Sequence, residues 1–202
     1  MKEKEVERQH SHLAKAITLI TTPAIVGGIF LLYTLYTLSP TTEVFYKTFL
    51  SVLFLSVILP ILFIFFLMKI GKVSNFHMKE RKDRVLPFGF TLVSGVASLL
   101  VVKSLESDPM IIRMFLIFLI MALGYSVITF LKFKLSGHTF VFTSAILILV
   151  SYIDLRFIFL LPFVFAIAWA RVYQKEHTIG EVAGGFAYAI VSFIIFSTLI
   201  NN

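Results

Sequence analysis

The stretch Phe49-Leu-Ser-Val-Leu-Phe-Leu-Ser-Val-Ile-Leu-Pro-Ile-Leu-Phe-Ile-Phe-Phe-Leu-Met68 runs for twenty residues without one Asp, Glu, Lys, Arg or His. A helix needs roughly 20 apolar residues to cross the hydrocarbon of a bilayer, and this run is apolar on every face, so it reads as a membrane-spanning helix. Six more uncharged runs surround it, at 16–38, 86–102, 114–131, 139–153, 157–170 and 182–200. Together the seven make up over half of the 202 residues, in a chain that is 58% hydrophobic and only 14% charged. Soluble domains carry about 25% charged residues, so a soluble globular protein is excluded. A closed barrel would need segments of about ten residues alternating apolar and polar, and none of these runs alternates. The expected fold class is all-α: a polytopic transmembrane helical bundle of six to seven spans. Residues 1–15 read as an N-terminal cytoplasmic tail and 16–202 as a single transmembrane helical domain. Pro23, Pro60 and Pro162 fall inside runs and are expected to kink helices. The runs 139–153 and 157–170 are short, which leaves six spans open beside seven.

Seven crossings put the N-terminus and the loops 69–85, 132–138 and 171–181 on one face. That face holds 14 of the 18 Lys and Arg residues, and the opposite face only Lys47, Lys103, Arg113 and Arg156. Short basic loops stay in the cytoplasm, so the basic face is expected to be cytoplasmic. Removing Lys79, Arg84 and Arg171, whose charge has a second use described below, leaves 11 against 4, and the asymmetry survives. Basic juxtamembrane loops also hold anionic lipid without doing chemistry, so the order and spacing of particular residues matter more than charge.

The loop before the last run reads Arg171-Val-Tyr-Gln-Lys-Glu-His177-Thr-Ile-Gly-Glu181-Val-Ala-Gly184-Gly185. His177 and Glu181 are four apart; on one helical turn the carboxylate can accept the ring N–H and leave the other nitrogen as a lone-pair nucleophile. The same pair is equally readable as a helix-surface contact worth a few tenths of a kcal/mol. Arg171 offers the planar fork that holds a phosphate in two places. The preceding loop reads Lys134-Leu-Ser136-Gly137-His138-Thr139 and leads into an apolar helix. Ser136 and Gly137 at a helix start present backbone N–H groups to a phosphate oxygen, and His138 can protonate a leaving alkoxide. Ser and Gly are also ordinary helix caps. The first loop, His77-Met-Lys79-Glu-Arg81-Lys-Asp-Arg84-Val-Leu86-Pro87, places Lys79 and Arg84 as candidate phosphate clamps and Pro87 near a first helical position. His10 and His12 read as incidental residues of a solvated tail.

Ser-Gly-His, followed by Arg, five residues, His, three residues and an acid, resembles the type 2 phosphatidic acid phosphatase superfamily, which includes vanadium haloperoxidases and bacterial acid phosphatases. The resemblance covers roughly residues 72–190. In that family the third motif is Ser-Arg, five residues, His, three residues, Asp; here Ala170 stands for the Ser and Glu181 for the Asp. The second is Pro-Ser-Gly-His, with Leu135 here in place of Pro. The first is Lys, six residues, Arg-Pro; Lys79 and Pro87 are in register, but Leu86 replaces the Arg, so Arg84 or Arg81 must supply that guanidinium.

What the resemblance implies is a metal-independent lipid phosphate phosphatase. His177 would attack phosphorus to form a phosphohistidine, Glu181 would hold its tautomer, and His138 would protonate the leaving alcohol and then activate water. Lys79, Arg84, Ser136, Gly137 and Arg171 would bind the phosphate oxygens. No cofactor is implied, and the sequence has no Asp-rich pair or His-Glu-x-x-His run for a divalent ion. The expected partners are membrane lipid and a lipid phosphate: phosphatidic acid, phosphatidylglycerol phosphate or a polyprenyl pyrophosphate. No nucleic acid is expected. The expected location is a bacterial inner (plasma) membrane, and the charge asymmetry, not the resemblance, puts the site on the cytoplasmic face. The alternative is a lipid-phosphate-binding or structural membrane protein of the same fold that has lost turnover, motivated by Leu86 and Ala170.

Overall fold

The structure, a computed structural model, describes residues 2–76, 81–105, 107–131 and 133–201; of residues 2–9, 81, 82 and 201 it describes the backbone alone. The described residues form helices and no strand: α1 (Lys2–Ile20), α2 (Pro23–Leu38), α3 (Thr42–Leu53), α4 (Leu59–Lys69), α5 (Val85–Ser104), α6 (Pro109–Phe130), α7 (Gly137–Tyr152), α8 (Phe163–Tyr173) and α9 (Ile179–Asn201). All seven apolar runs have become helical, so the all-α membrane bundle holds. Five helices are long and apolar enough to cross a membrane unaided, and the pair His10–Ile20 and Pro23–Leu38 adds a sixth if the two count as one span. That upper count is the lower of the two expected. At 16 residues α7 is shorter than the roughly 20 a crossing needs.

Each proline inside a run breaks or reshapes its helix, because it lacks an N–H and its ring crowds the carbonyl four residues back. Pro23 opens α2 after a break at Thr21–Thr22, and Pro162 caps α8 after a 3-10 turn, Leu155–Leu160. Pro60 sits just after a π-helical turn, Phe54–Ile58, in which the Leu59 N–H reaches back five residues to the Phe54 carbonyl. The extra residue relieves the proline, and Thr42–Lys69 remains one continuous span. Pro87 falls in the third position of α5, not the first. The charged start, read as a tail, is helical from Lys2. Its Lys, Glu, Arg and Gln residues are all good helix formers, a preference that a charge count does not register.

The chain divides into two compact units, residues 1–27 with 135–194, and residues 28–134 with 195–202. In the second, Leu31, Leu35, Val52, Val102 and Ile111 are buried together. Apolar packing alone discriminates poorly in lipid, and this unit adds hydroxyl contacts: Ser56 to Ser98 at 2.7 Å and Ser98 to the Ser94 carbonyl at 2.9 Å. Large apolar side chains such as Phe66, Leu100, Phe165 and Leu199 are exposed across the molecule, as lipid-facing residues are. The first unit buries Phe140, Ile148, Val164, Ile167, Ala170 and Ala189, and it carries the candidate site.

Candidate active site

Polar caps mark where several helices begin, and two of them, Ser136 and Thr178, build the site. Ser136 caps α7, its side chain accepting from the Thr139 N–H at 3.5 Å. Thr178 precedes α9 and takes part in a reciprocal cap: the Glu181 N–H donates to Thr178 Oγ1 at 3.2 Å, and the Thr178 N–H donates to Glu181 Oε2 at 3.3 Å. This is the Thr-x-x-Glu capping box, whose signature Thr178-Ile-Gly-Glu181 overlaps the His177 to Glu181 spacing in the sequence.

The capping box aims the carboxylate. Glu181 Oε2 also meets His177 Nδ1 at 2.7 Å, with the imidazole only 6% exposed and the carboxylate 20%. His177 itself lies outside the helix, in the turn before α9. The i,i+4 contact expected from a helical turn therefore forms by a different route, through a fixed cap, and it is mostly buried instead of lying on a helix surface. The carboxylate engages the ring through Nδ1, which sets how the imidazole is oriented.

α7 and α9 begin side by side. The Ser136 N–H donates to the Glu181 carbonyl at 3.0 Å, and Thr139 Oγ1 donates to the Val182 carbonyl at 3.2 Å and the Ser136 carbonyl at 3.1 Å. Gly185 makes this approach possible: a Cβ there would stand 2.5 Å from Thr139 Oγ1 and 2.6 Å from the Ser136 carbonyl oxygen, closer than real Cβ atoms come. Two helix N-termini thus converge, and their partial positive charges favour an anion in front of them. Ser136 is fully buried, and its N–H is already committed to Glu181. Its backbone N–H therefore serves as a tie to the α9 start, and its side chain as the cap of α7. Gly137 and His138 are half-buried at the first two positions of α7.

Arg171 lies in the last turn of α8, 6% exposed, and its carbonyl accepts the Glu176 and His177 N–H groups at 3.1 and 3.3 Å. The chain reverses here through Lys175, whose φ of 57° is left-handed. The structure therefore brings Ser136, Gly137, His138, Arg171, His177 and Glu181 into one compact unit, tied by named hydrogen bonds. Arg84 belongs to the other unit, where it ends a short 3-10 turn, Arg81–Arg84, and is buried beside Asp83. Asp83 Oδ2 accepts both the N–H and the hydroxyl of Ser74. Leu86, standing where the resemblance expects Arg, is exposed. Lys79 lies outside the described residues. Among the described residues no three His, Cys, Asp or Glu side chains gather as metal ligands would.

No family model, curated protein or solved structure matches the chain. The site accordingly stands on its own geometry. Sequence reasoning also passed over His10, whose ring meets those of Trp169 and Tyr173 edge-on at 6.2 and 6.4 Å instead of lying in a solvated tail.

Proposed function

We propose that this protein is a membrane-embedded phosphatase that hydrolyses a lipid phosphate monoester or pyrophosphate through a phosphohistidine on His177. The observation that carries the reading is the 2.7 Å contact from His177 Nδ1 to a carboxylate that a capping box holds still, next to the helix start bearing His138. A surface ion pair would need neither the burial nor the fixed carboxylate.

In this reading His177 Nε2 attacks phosphorus while the bond to the leaving alkoxide breaks. His138 gives that oxygen a proton, and Glu181 steadies the imidazolium that forms. Water then attacks the phosphohistidine, His138 takes its proton, inorganic phosphate leaves and His177 is regenerated. Arg171 and the Gly137 N–H stabilise the charge on the equatorial oxygens, where preorganised donors contribute most. A head-group site beneath apolar helices favours an amphiphilic substrate of the phosphatidic acid, phosphatidylglycerol phosphate or polyprenyl pyrophosphate class.

Phosphate release from these lipids by detergent-purified protein, with and without orthovanadate, tests the activity. Hydrolysis that vanadate inhibits and that His177→Ala removes is expected. A variant within about tenfold of wild type rules out the mechanism. Vanadate-sensitive lipid binding without any release would favour the degenerate binding protein of the same fold.

The excess of Lys and Arg on the site's side supports a cytoplasmic face. The chain has no cysteine, so single cysteines at the exposed positions His12 and Ser104, the latter at the α5–α6 turn, report orientation whether or not α7 crosses. In intact cells an impermeant thiol reagent should label Ser104→Cys and spare His12→Cys; the reverse pattern would put the chemistry on the outer leaflet.

A further inference from the structure

The turn that carries His177 is strained, and something must hold it. Lys175 occupies the left-handed region, which a residue with a Cβ keeps only where its surroundings over-determine the conformation. The residue before it, Gln174, ends α8 and reaches sideways to the N-terminal helix. Its Nε2 lies 2.6 Å from Thr18 Oγ1 and 3.0 Å from the Ala14 carbonyl, both on α1, and 3.2 Å from the Ala170 carbonyl. Thr18 is 8% exposed and Ala14 fully buried, so the clasp is shielded from water. One turn outward, the His10 ring of α1 meets Trp169 and Tyr173 of α8, which stack on each other at 5.4 Å. Gln174 lies three residues after Arg171 and three before His177, both placed in the site.

We infer that Thr18 and Gln174 are positioning residues: through them the N-terminal helix fixes the end of α8 and so sets where Arg171 and His177 stand. None of the three motif loops contains Thr18, and nothing in the charge pattern marks it. The clasp works through neutral groups. Gln174 donates, Thr18 and Ala14 accept, and the reversal at Lys175 follows within one residue. The coupling of α1 to His177 stands independently of any reaction; its consequence for turnover rests on the phosphatase reading.

Trp169 is the only tryptophan, so its fluorescence reports the clasp without substrate. Thr18→Val removes the acceptor at constant shape, Thr18→Ser keeps it, and Gln174→Leu removes the donor. Three readouts are taken on the whole protein in detergent: iodide quenching of Trp169, the imidazole resonances of His177 in histidine-labelled protein assigned with His177→Gln, and kcat and KM on dispersed phosphatidic acid. Thr18→Val and Gln174→Leu should raise quenching about twofold, shift the His177 resonances and lower kcat roughly tenfold with KM little changed, as misplacement of a reacting group does. Thr18→Ser should restore all three. Should Gln174→Leu fail to fold, the Thr18 pair decides. Quenching that rises while His177 and kcat stay put overturns the inference, because α1 then merely packs on α8. Quenching that stays at the wild-type level in Thr18→Val overturns the clasp itself. If Trp169 and His177 move together in a protein that hydrolyses no lipid phosphate, the coupling is upheld and the phosphatase reading falls.

Discussion

Two basic loops in this chain leave apolar helices by the same hydrogen-bonded turn and put it to different uses. At the end of α4, the Lys72 N–H returns to the Leu67 carbonyl at 2.9 Å and the Gly71 N–H to Met68 at 3.1 Å. At the end of α8, the Glu176 N–H returns to Arg171 at 3.1 Å and the Lys175 N–H to Val172 at 2.9 Å. Both are the paired bonds that satisfy a helix's last carbonyls, with one left-handed residue between them. In the first loop that residue is glycine at φ 72°, free of steric cost; in the third it is Lys175 at φ 57°, which pays one. Each loop also holds a carboxylate that ties down nearby groups. Asp83 accepts from the Ser74 N–H and hydroxyl within its own loop, whereas Glu181 accepts from the Thr178 backbone and meets an imidazole. Among the described residues, the left-handed non-glycine stands in the loop that holds the carboxylate-bound imidazole, and glycine takes the same place in the other, the pattern expected where a strained turn positions a side chain.

The sharpest way to break this contrast is to disable each carboxylate loop in turn. His177→Ala should cut phosphate release by on the order of a thousandfold or more, and Glu181→Gln by about a hundredfold, because it removes orientation and charge support but leaves the nucleophile. Asp83→Asn should leave kcat near wild type and lower the unfolding midpoint. Turnover assays beside thermal unfolding of the same preparations check this, and equal kinetic losses from Asp83→Asn and Glu181→Gln would erase the distinction.

Gly185→Ala comes next. Its methyl would run into a backbone oxygen, which cannot swing aside, so we expect a loss of roughly 1–3 kcal/mol and a fall in turnover as α7 and α9 separate. Gly89, also in a helix but with open space where a Cβ would stand, serves as the control: Gly89→Ala should be neutral or stabilising by up to about 1 kcal/mol. Equilibrium unfolding in mixed detergent measures both.

The two turns themselves give a smaller effect of opposite sign. Lys175→Gly should stabilise by about 0.5–1 kcal/mol through relief of the left-handed lysine, and Gly71→Ala should destabilise by about 1 kcal/mol. Opposite shifts in unfolding midpoint sharpen the comparison; shifts of like sign break it.

The smallest effect is expected away from both loops, at the turn between α7 and α8. Hydrogen bonds from the Arg156 side chain, and then from its backbone N–H, bring the Asp154 carboxyl down from its usual 3.8 to about 2. A carboxyl lowered by folding contributes stability above its unfolded pKa and loses it as pH falls through the folded one, so this contribution should be intact at pH 4 and above and fade toward about pH 2. Arg156→Gln should move the Asp154 titration back up, as carbon-detected NMR of labelled aspartate can follow, with no change in turnover at neutral pH.

Much of this was legible in the residues. Membrane helices are specified by local composition, since twenty uncharged apolar residues have nowhere else to go, and all seven runs became helical. Ser136-Gly137-His138 and Arg171 through Glu181 were found by spacing because nucleophile, orienting acid and helix start are all short-range patterns. What spacing misjudged was how the contacts form. His177, outside the helix, meets Glu181 in the first turn of α9 through a capping box, and Ser136 uses its N–H on a neighbouring backbone.

By itself, then, the sequence determined a polytopic helical membrane protein, the start of α7 and the identity of the groups at the candidate site, because each depends on residues within a turn or two of one another. Only the tertiary structure decided which of those groups share a compact unit. It gathered Arg171, His177 and Glu181 with the α7 start and assigned Arg84 to the other unit, and it joined Thr18 to Gln174 across more than 150 positions. Such pairings rest on two helix surfaces fitting each other. A glycine with no room for a methyl and a threonine with an acceptor oxygen read, along the chain, like any other glycine and threonine.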